Sequence, residues 1–157
     1  MKPATIETTF FAFESDFSVS LRCIPMVVRY KLDAVRIKLK LPEWARFSLA
    51  EKQELANRPC HTPSQLDDYR RLVVRLIADR CHREATELVG LEAAWDNLAD
   101  VPAEVNAKAA EWNCSPPTLA QWQRLDVLRR FALVKLSRSG HEGENLPRAL
   151  REFGLLD

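Results

Sequence analysis

One long amphipathic stripe in the middle of the chain constrains its fold more than any other feature. After Thr62, Pro63 and Gln65, apolar residues recur at Leu66, Tyr69, Val73, Leu76, Ile77, Cys81, Ala85 and Leu88. That spacing of three and four places one side of an α-helix against a core. The start is signalled twice: a threonine cap with a glutamine in the box position, and a proline where the first turn has no use for an N–H. Gly90 is placed to end the run. On the opposite face, Asp67 precedes Arg71 and Asp79 precedes Arg83 at the spacing and in the order that favour an ion pair along a helix. A helix buried along its whole length needs other elements to cover it.

The remaining chain supplies them, again mostly as helices. Ile24, Val28, Leu32 and Val35 predict a helix from Pro25 to Val35. Ser15 or Asp16 is placed to cap a short helix beside the aromatic cluster of Phe10, Phe11, Phe13 and Phe17. Ile37, Leu39 and Leu41 then alternate with Lys38 and Lys40, the period of a half-buried strand, and Pro42 ends it. This segment either pairs with residues 10–13 as a small two-stranded ribbon or lies as extended chain over the core. Ser48 and Glu51 box a helix to Asn57. Further helices are expected from Gly90 to Leu98, from Pro102 to Trp112, from Leu119 to Leu136, and from Leu146 to Phe153 behind Asn145 as cap. Phe131 to Val134 is apolar on nearly every side, which marks a central helix covered from more than one direction.

The fold class expected is therefore all-α: a single compact domain over residues 1–157, with about six or seven helices and residues 1–9 as an extended lead-in. Four glycines against nine prolines disfavour glycine-rich phosphate loops and tight hairpins. Twenty-three basic and 22 acidic residues leave a net charge of +1, against the clear basic excess of a nucleic-acid binder. The longest apolar runs fall far short of the roughly 20 residues of a membrane span. Without an apolar leader, and with four scattered cysteines and no Cys-x-x-Cys pair, reduced thiols and a cytoplasmic location are expected.

Catalytic constellations are scarce. Cys60-His61 and Cys81-His82 are ligand-type pairs, which Cys23, Cys114 and His141 would have to join to close a metal site. Neighbours on a helix point about 100° apart, so Cys81 and His82 are poorly placed to grip one ion. No nucleophile elbow, zinc-protease helix or phosphate loop is present. Neither a catalytic residue nor a cofactor is assigned, and the chain is read as a non-enzyme. The basic residues between Arg22 and Lys40 are broken only by Asp33. They are either a solvated face or a docking patch for an acidic partner. The contact residues expected are Arg22, Arg29, Lys31, Lys38 and Lys40, joined by Arg138, His141 and Glu142 from the polar loop near the C-terminus.

A family resemblance sharpens this. Phe11-Ala-Phe-Glu14 with Asp16-Phe17, then Ser20-Leu-Arg-Cys-Ile-Pro-Met26, Val28-Arg29 and Lys31-Leu-Asp33, resembles the opening signature of the nitrate-reductase-associated protein family. Ile37-Lys-Leu-Lys-Leu41 with Trp44 and Phe47 is similar to it too, as is the closing run Arg130-Phe-Ala-Leu-Val-Lys-Leu-Ser137 with Gly140-His-Glu142 and Leu150. The resemblance implies an accessory or maturation role for a small cytoplasmic protein whose partner is assimilatory nitrate reductase. It transfers no catalytic residue and leaves the oligomeric state open. The rival expectation is a small metal- or redox-cluster-binding protein built on the scattered Cys and His residues.

Overall fold

The computed structural model describes residues 10–14, 21–139 and 144–156. They form eight α-helices and one two-stranded antiparallel sheet, so the chain is mainly helical as expected. The chain divides into two compact units, residues 1–91 and 92–157.

In the first unit, a 3-10 turn at Ala12–Glu14 precedes α1 (Met26–Ala34), β1 (Ile37–Lys38), α2 (Leu41–Trp44), α3 (Leu49–Asn57), α4 (Pro63–Cys81) and β2 (Thr86–Glu87). The caps on α3 and α4 are those the sequence predicts. Ser48 Oγ accepts from the Glu51 amide, and Thr62 Oγ1 accepts from the Gln65 amide, while the Glu51 and Gln65 side chains accept in return. Each such cap contributes about 1 kcal/mol. Helix α1 packs on α3 and β1, and α2 packs on α4. Val27, Val28, Trp44, Leu55, Tyr69, Val73 and Ile77 are fully buried in this unit.

Two expectations change here. Helix α4 stops at Cys81, well short of Gly90, because His82 turns left-handed at φ 55° and closes the last turn. The residues beyond it find backbone partners on β1 instead, with Ile37 opposite Glu87, Lys38 opposite Thr86, and the Leu88 amide donating to Arg36 O at 2.9 Å. The extended segment at Ile37 is thus a strand, but it pairs with residues 86–87. The described residues 10–14 hold a 3-10 turn in place of the ribbon partner. The proposed cap at Ser15 or Asp16 lies outside the described residues, as does Phe17.

The second unit is built around α7 (Val127–Arg138), with a 3-10 turn at Ala94–Asp96, α5 (Ala103–Glu111), α6 (Leu119–Arg124) and α8 (Asn145–Glu152). Helix α7 contacts the 3-10 turn, α5 and α8, which explains why Phe131 to Val134 are apolar all round and fully buried. Trp95 meets Phe131 edge to face at 4.8 Å. The single helix expected from Leu119 to Leu136 is two helices. Leu125 is extended, and Asp126 restarts the chain by accepting the Arg129 amide with its side chain. The helix expected after Gly90 shrinks to the Ala94–Asp96 turn. Its Asn97 carbonyl accepts the Trp122 indole N–H at 2.7 Å, fixing the backbone in a non-helical path.

Candidate functional site

The basic segment of the first unit separates into an inner and an outer set. Lys31 lies on the buried side of α1 and is 1% exposed. Its ammonium donates to Ala56 O and Arg58 O, each at 2.8 Å. These carbonyls belong to the C-terminus of α3, where the last turn leaves acceptors without helical donors and the dipole favours a cation. The Tyr69 hydroxyl donates to Leu55 O at 2.8 Å, serving the same helix end. Burial, with a further push from Cys60, holds Tyr69 well above the ordinary phenol range, so the hydroxyl stays a donor. Lys31 is therefore not a surface contact, contrary to expectation. Its α1 register places it inside, and the unsatisfied helix end gives its charge somewhere to go.

Glu14 is the acidic counterpart, also 1% exposed. Its carboxylate accepts the Phe11 amide at 3.3 Å and the Met26 amide at 3.1 Å. Met26 opens α1 behind Pro25, which has no side-chain cap to offer, so Glu14 serves that helix N-terminus from a distance. Trp44, fully buried, donates its indole N–H to Leu21 O at 2.7 Å. Leu21 itself sits at φ 53°.

The other expected contacts divide in the same way. Arg29 is half-buried and its Nε donates to Ile24 O at 2.9 Å. Arg138, in the second unit, makes a two-pronged pair with Glu104 at 3.0 Å for each bond, donates to Glu92 O, and lies over Trp95. That guanidinium is committed to holding α7, α5 and the segment before the 3-10 turn together. His141 and Glu142 lie outside the described residues. Arg22, Lys38 and Lys40 are exposed, and among the described residues their side chains have no ion-pair partner. Arg36, exposed and at φ 61°, belongs with them. The basic cluster includes it, but an αL position is not marked in a sequence that puts arginine where glycine is usual.

Among the described residues the cysteines and histidines do not converge. Cys60 is buried while His61 is exposed, and Cys81 Sγ approaches Glu43 O at 3.9 Å while His82 is exposed at its left-handed turn. All four cysteines are free thiols, and among the described residues no group of three or more His, Cys, Asp or Glu is placed to hold a metal ion. A shallow depression in the first unit is lined by Val35, Pro63, Ser64, Leu66, Asp67 and Arg70. Its charges are already engaged: Asp67 pairs with Arg71 at 2.7 Å, and Arg70 binds Val35 O and Glu87. No helix among the described residues is long and apolar enough to cross a membrane.

The described residues thus form a mainly helical protein with buried polar contacts at its helix ends and an exposed cationic edge on its first unit. The chain belongs to the family of conserved nitrate reductase-associated proteins, whose model matches residues 10–153. No curated protein and no solved structure matches it significantly.

Proposed function

We propose that this chain is a non-enzymatic accessory or maturation factor that binds assimilatory nitrate reductase in the cytoplasm and supports its activity. The observation that supports the reading most is the family match over residues 10–153. The association named by the family supplies a partner enzyme to carry the chemistry, and the residues of this chain are then free to serve recognition and fold. A protein that binds the active or cofactor-ready form of an enzyme raises its population by mass action, without contributing a reacting group. Completing assembly of the reductase works through the same differential affinity.

Deleting the gene and measuring nitrate-dependent growth and reductase activity tests the role. Both are expected to fall and to recover when the gene is returned, and the two proteins are expected to co-purify. Undiminished reductase activity in the deletion strain, with no co-purification, sinks the reading.

A further inference from the structure

The backbone at the end of α1 carries a steric cost that a glycine would remove. Arg36 stands at the residue after the helix cap, at φ 61°, where glycine is ordinary because a Cβ is crowded by the left-handed turn. Its amide donates to Asp33 O at 3.1 Å and its carbonyl accepts from Leu88 at 2.9 Å. The backbone bonds would serve glycine equally well. The side chain is exposed and makes no hydrogen bond or ion pair among the described residues.

Arg36 does not stand alone. Along the extended chain Ile37 is buried and Leu39 half-buried, while Arg36, Lys38 and Lys40 are all exposed. Lys38 and Lys40, on one face of the extended segment, therefore stand roughly 7 Å apart, next to the turn that carries Arg36. The Trp44 bond to Leu21 O brings Arg22 beside the helix that starts at Leu41, directly after Lys40. Leu41, the residue after Lys40, is 51% exposed. Two acids of this unit are already engaged: Glu87 pairs with Arg70, and buried Glu43 pairs with Arg83. Exposed cations of one sign, three of them within residues 36–40 and followed by an exposed leucine, repel one another and gain most when a carboxylate-rich surface covers them.

We propose that Arg22, Arg36, Lys38 and Lys40, together with Leu41, form the docking surface of this chain for an acidic protein face. Resting on the function proposed above, that face belongs to nitrate reductase. A protein is favoured over nucleic acid because the chain's net charge is only +1 and the residue that follows the row, Leu41, is an exposed aliphatic side chain.

The test measures binding of the full-length chain to purified assimilatory nitrate reductase from the same organism, at low and physiological salt. Wild-type affinity is expected to fall as salt rises. Lys38→Glu with Lys40→Glu is expected to weaken binding at least tenfold. Arg36→Gly is expected to weaken it severalfold while leaving the thermal midpoint unchanged or raised, which a residue kept for structure would not do. A lower midpoint for Arg36→Gly removes Arg36 from the surface. If the wild type binds and the double reversal binds as tightly, the surface is wrong and the proposed function survives. No wild-type binding overturns both. A salt-sensitive dimer of the chain alone, seen by light scattering and lost in the double reversal, reassigns the surface to a second copy.

Discussion

Helix α1 and the extended run that follows it carry similar charges to opposite ends. Lys31 points into the first unit and completes the C-terminus of α3, whereas Lys38 and Lys40 stand in solvent with nothing to complete. In the linear sequence they form one basic cluster. Period separates them: α1 turns Lys31 to the side shared with Val27 and Val28, while the alternation of residues 37–40 sends Lys38 and Lys40 outward. A charge run is thus a poor guide to a surface until the period of each element is applied residue by residue. The physical difference is whether a buried acceptor waits for the charge.

The strongest way to break this contrast is to remove both lysine charges while keeping their length. Lys31→Met leaves Ala56 O and Arg58 O short of donors in the interior, partly offset because the buried cation no longer has to be desolvated. A loss of about 2–3 kcal/mol is expected. Lys38→Met is expected to change stability by less than about 0.5 kcal/mol. Urea unfolding followed by circular dichroism compares the two, and equal losses would abolish the distinction between inner and outer cations.

A smaller effect is expected at the same helix end from Tyr69→Phe. It strips the donor from Leu55 O but keeps the ring, for a loss of about 1–2 kcal/mol. The variant also carries a pH signature. Tyr69 is raised above its ordinary value of 10.0 by burial, so the folded state holds the phenolic proton after the unfolded state has released it. That contribution is complete below pH 10 and drains away as the pH climbs beyond it. The stability difference between wild type and Tyr69→Phe should therefore narrow above pH 10 in unfolding titrations. A constant gap would mean that the tyrosine is not protected by burial.

How much of this was legible beforehand depends on whether the signal is local. The caps at Ser48 and Thr62 and the all-round apolar run at Phe131 to Val134 are local, and both were readable. The break at Asp126 was readable in principle, since an aspartate before Val127 is a cap, but the continuous apolar spacing on either side masked it. The end of α4 was not readable: Ala85 and Leu88 continue the stripe, and only a partner strand distant in sequence makes the extended alternative better. The same holds for the candidate site. Arg22, Lys38 and Lys40 were readable as cations, whereas the burial of Lys31 and the left-handed turn at Arg36 depend on where α3 and β2 come to lie. The resemblance to the family rests largely on core residues such as Phe11, Leu21, Trp44 and Phe131, so it reports the fold more directly than the contact surface.

The weakest test separates an exposed ion pair from the buried contacts. Glu51 has two tasks: its carboxylate accepts the Ser48 amide at 2.8 Å to close the cap on α3, and it binds Arg80 on α4, with Nη2 at 2.9 Å. The Arg80 guanidinium is the main reason its carboxyl sits below the ordinary 4.5, with burial opposing and the Ser48 bonds helping. A lowered folded value means that the contribution is present above pH 4.5 and is lost as the pH falls through the folded value. Glutamine is as good a box partner as glutamate, so Glu51→Gln keeps the cap and removes only the charge. At neutral pH the variant should be slightly less stable than wild type, because solvent and salt screen so exposed a pair. The gap should close in acid and in high salt. A loss as large as that of Lys31→Met would place the organising charges of this unit on its surface, and the contrast between Lys31 and its exposed neighbours would then describe position without energy.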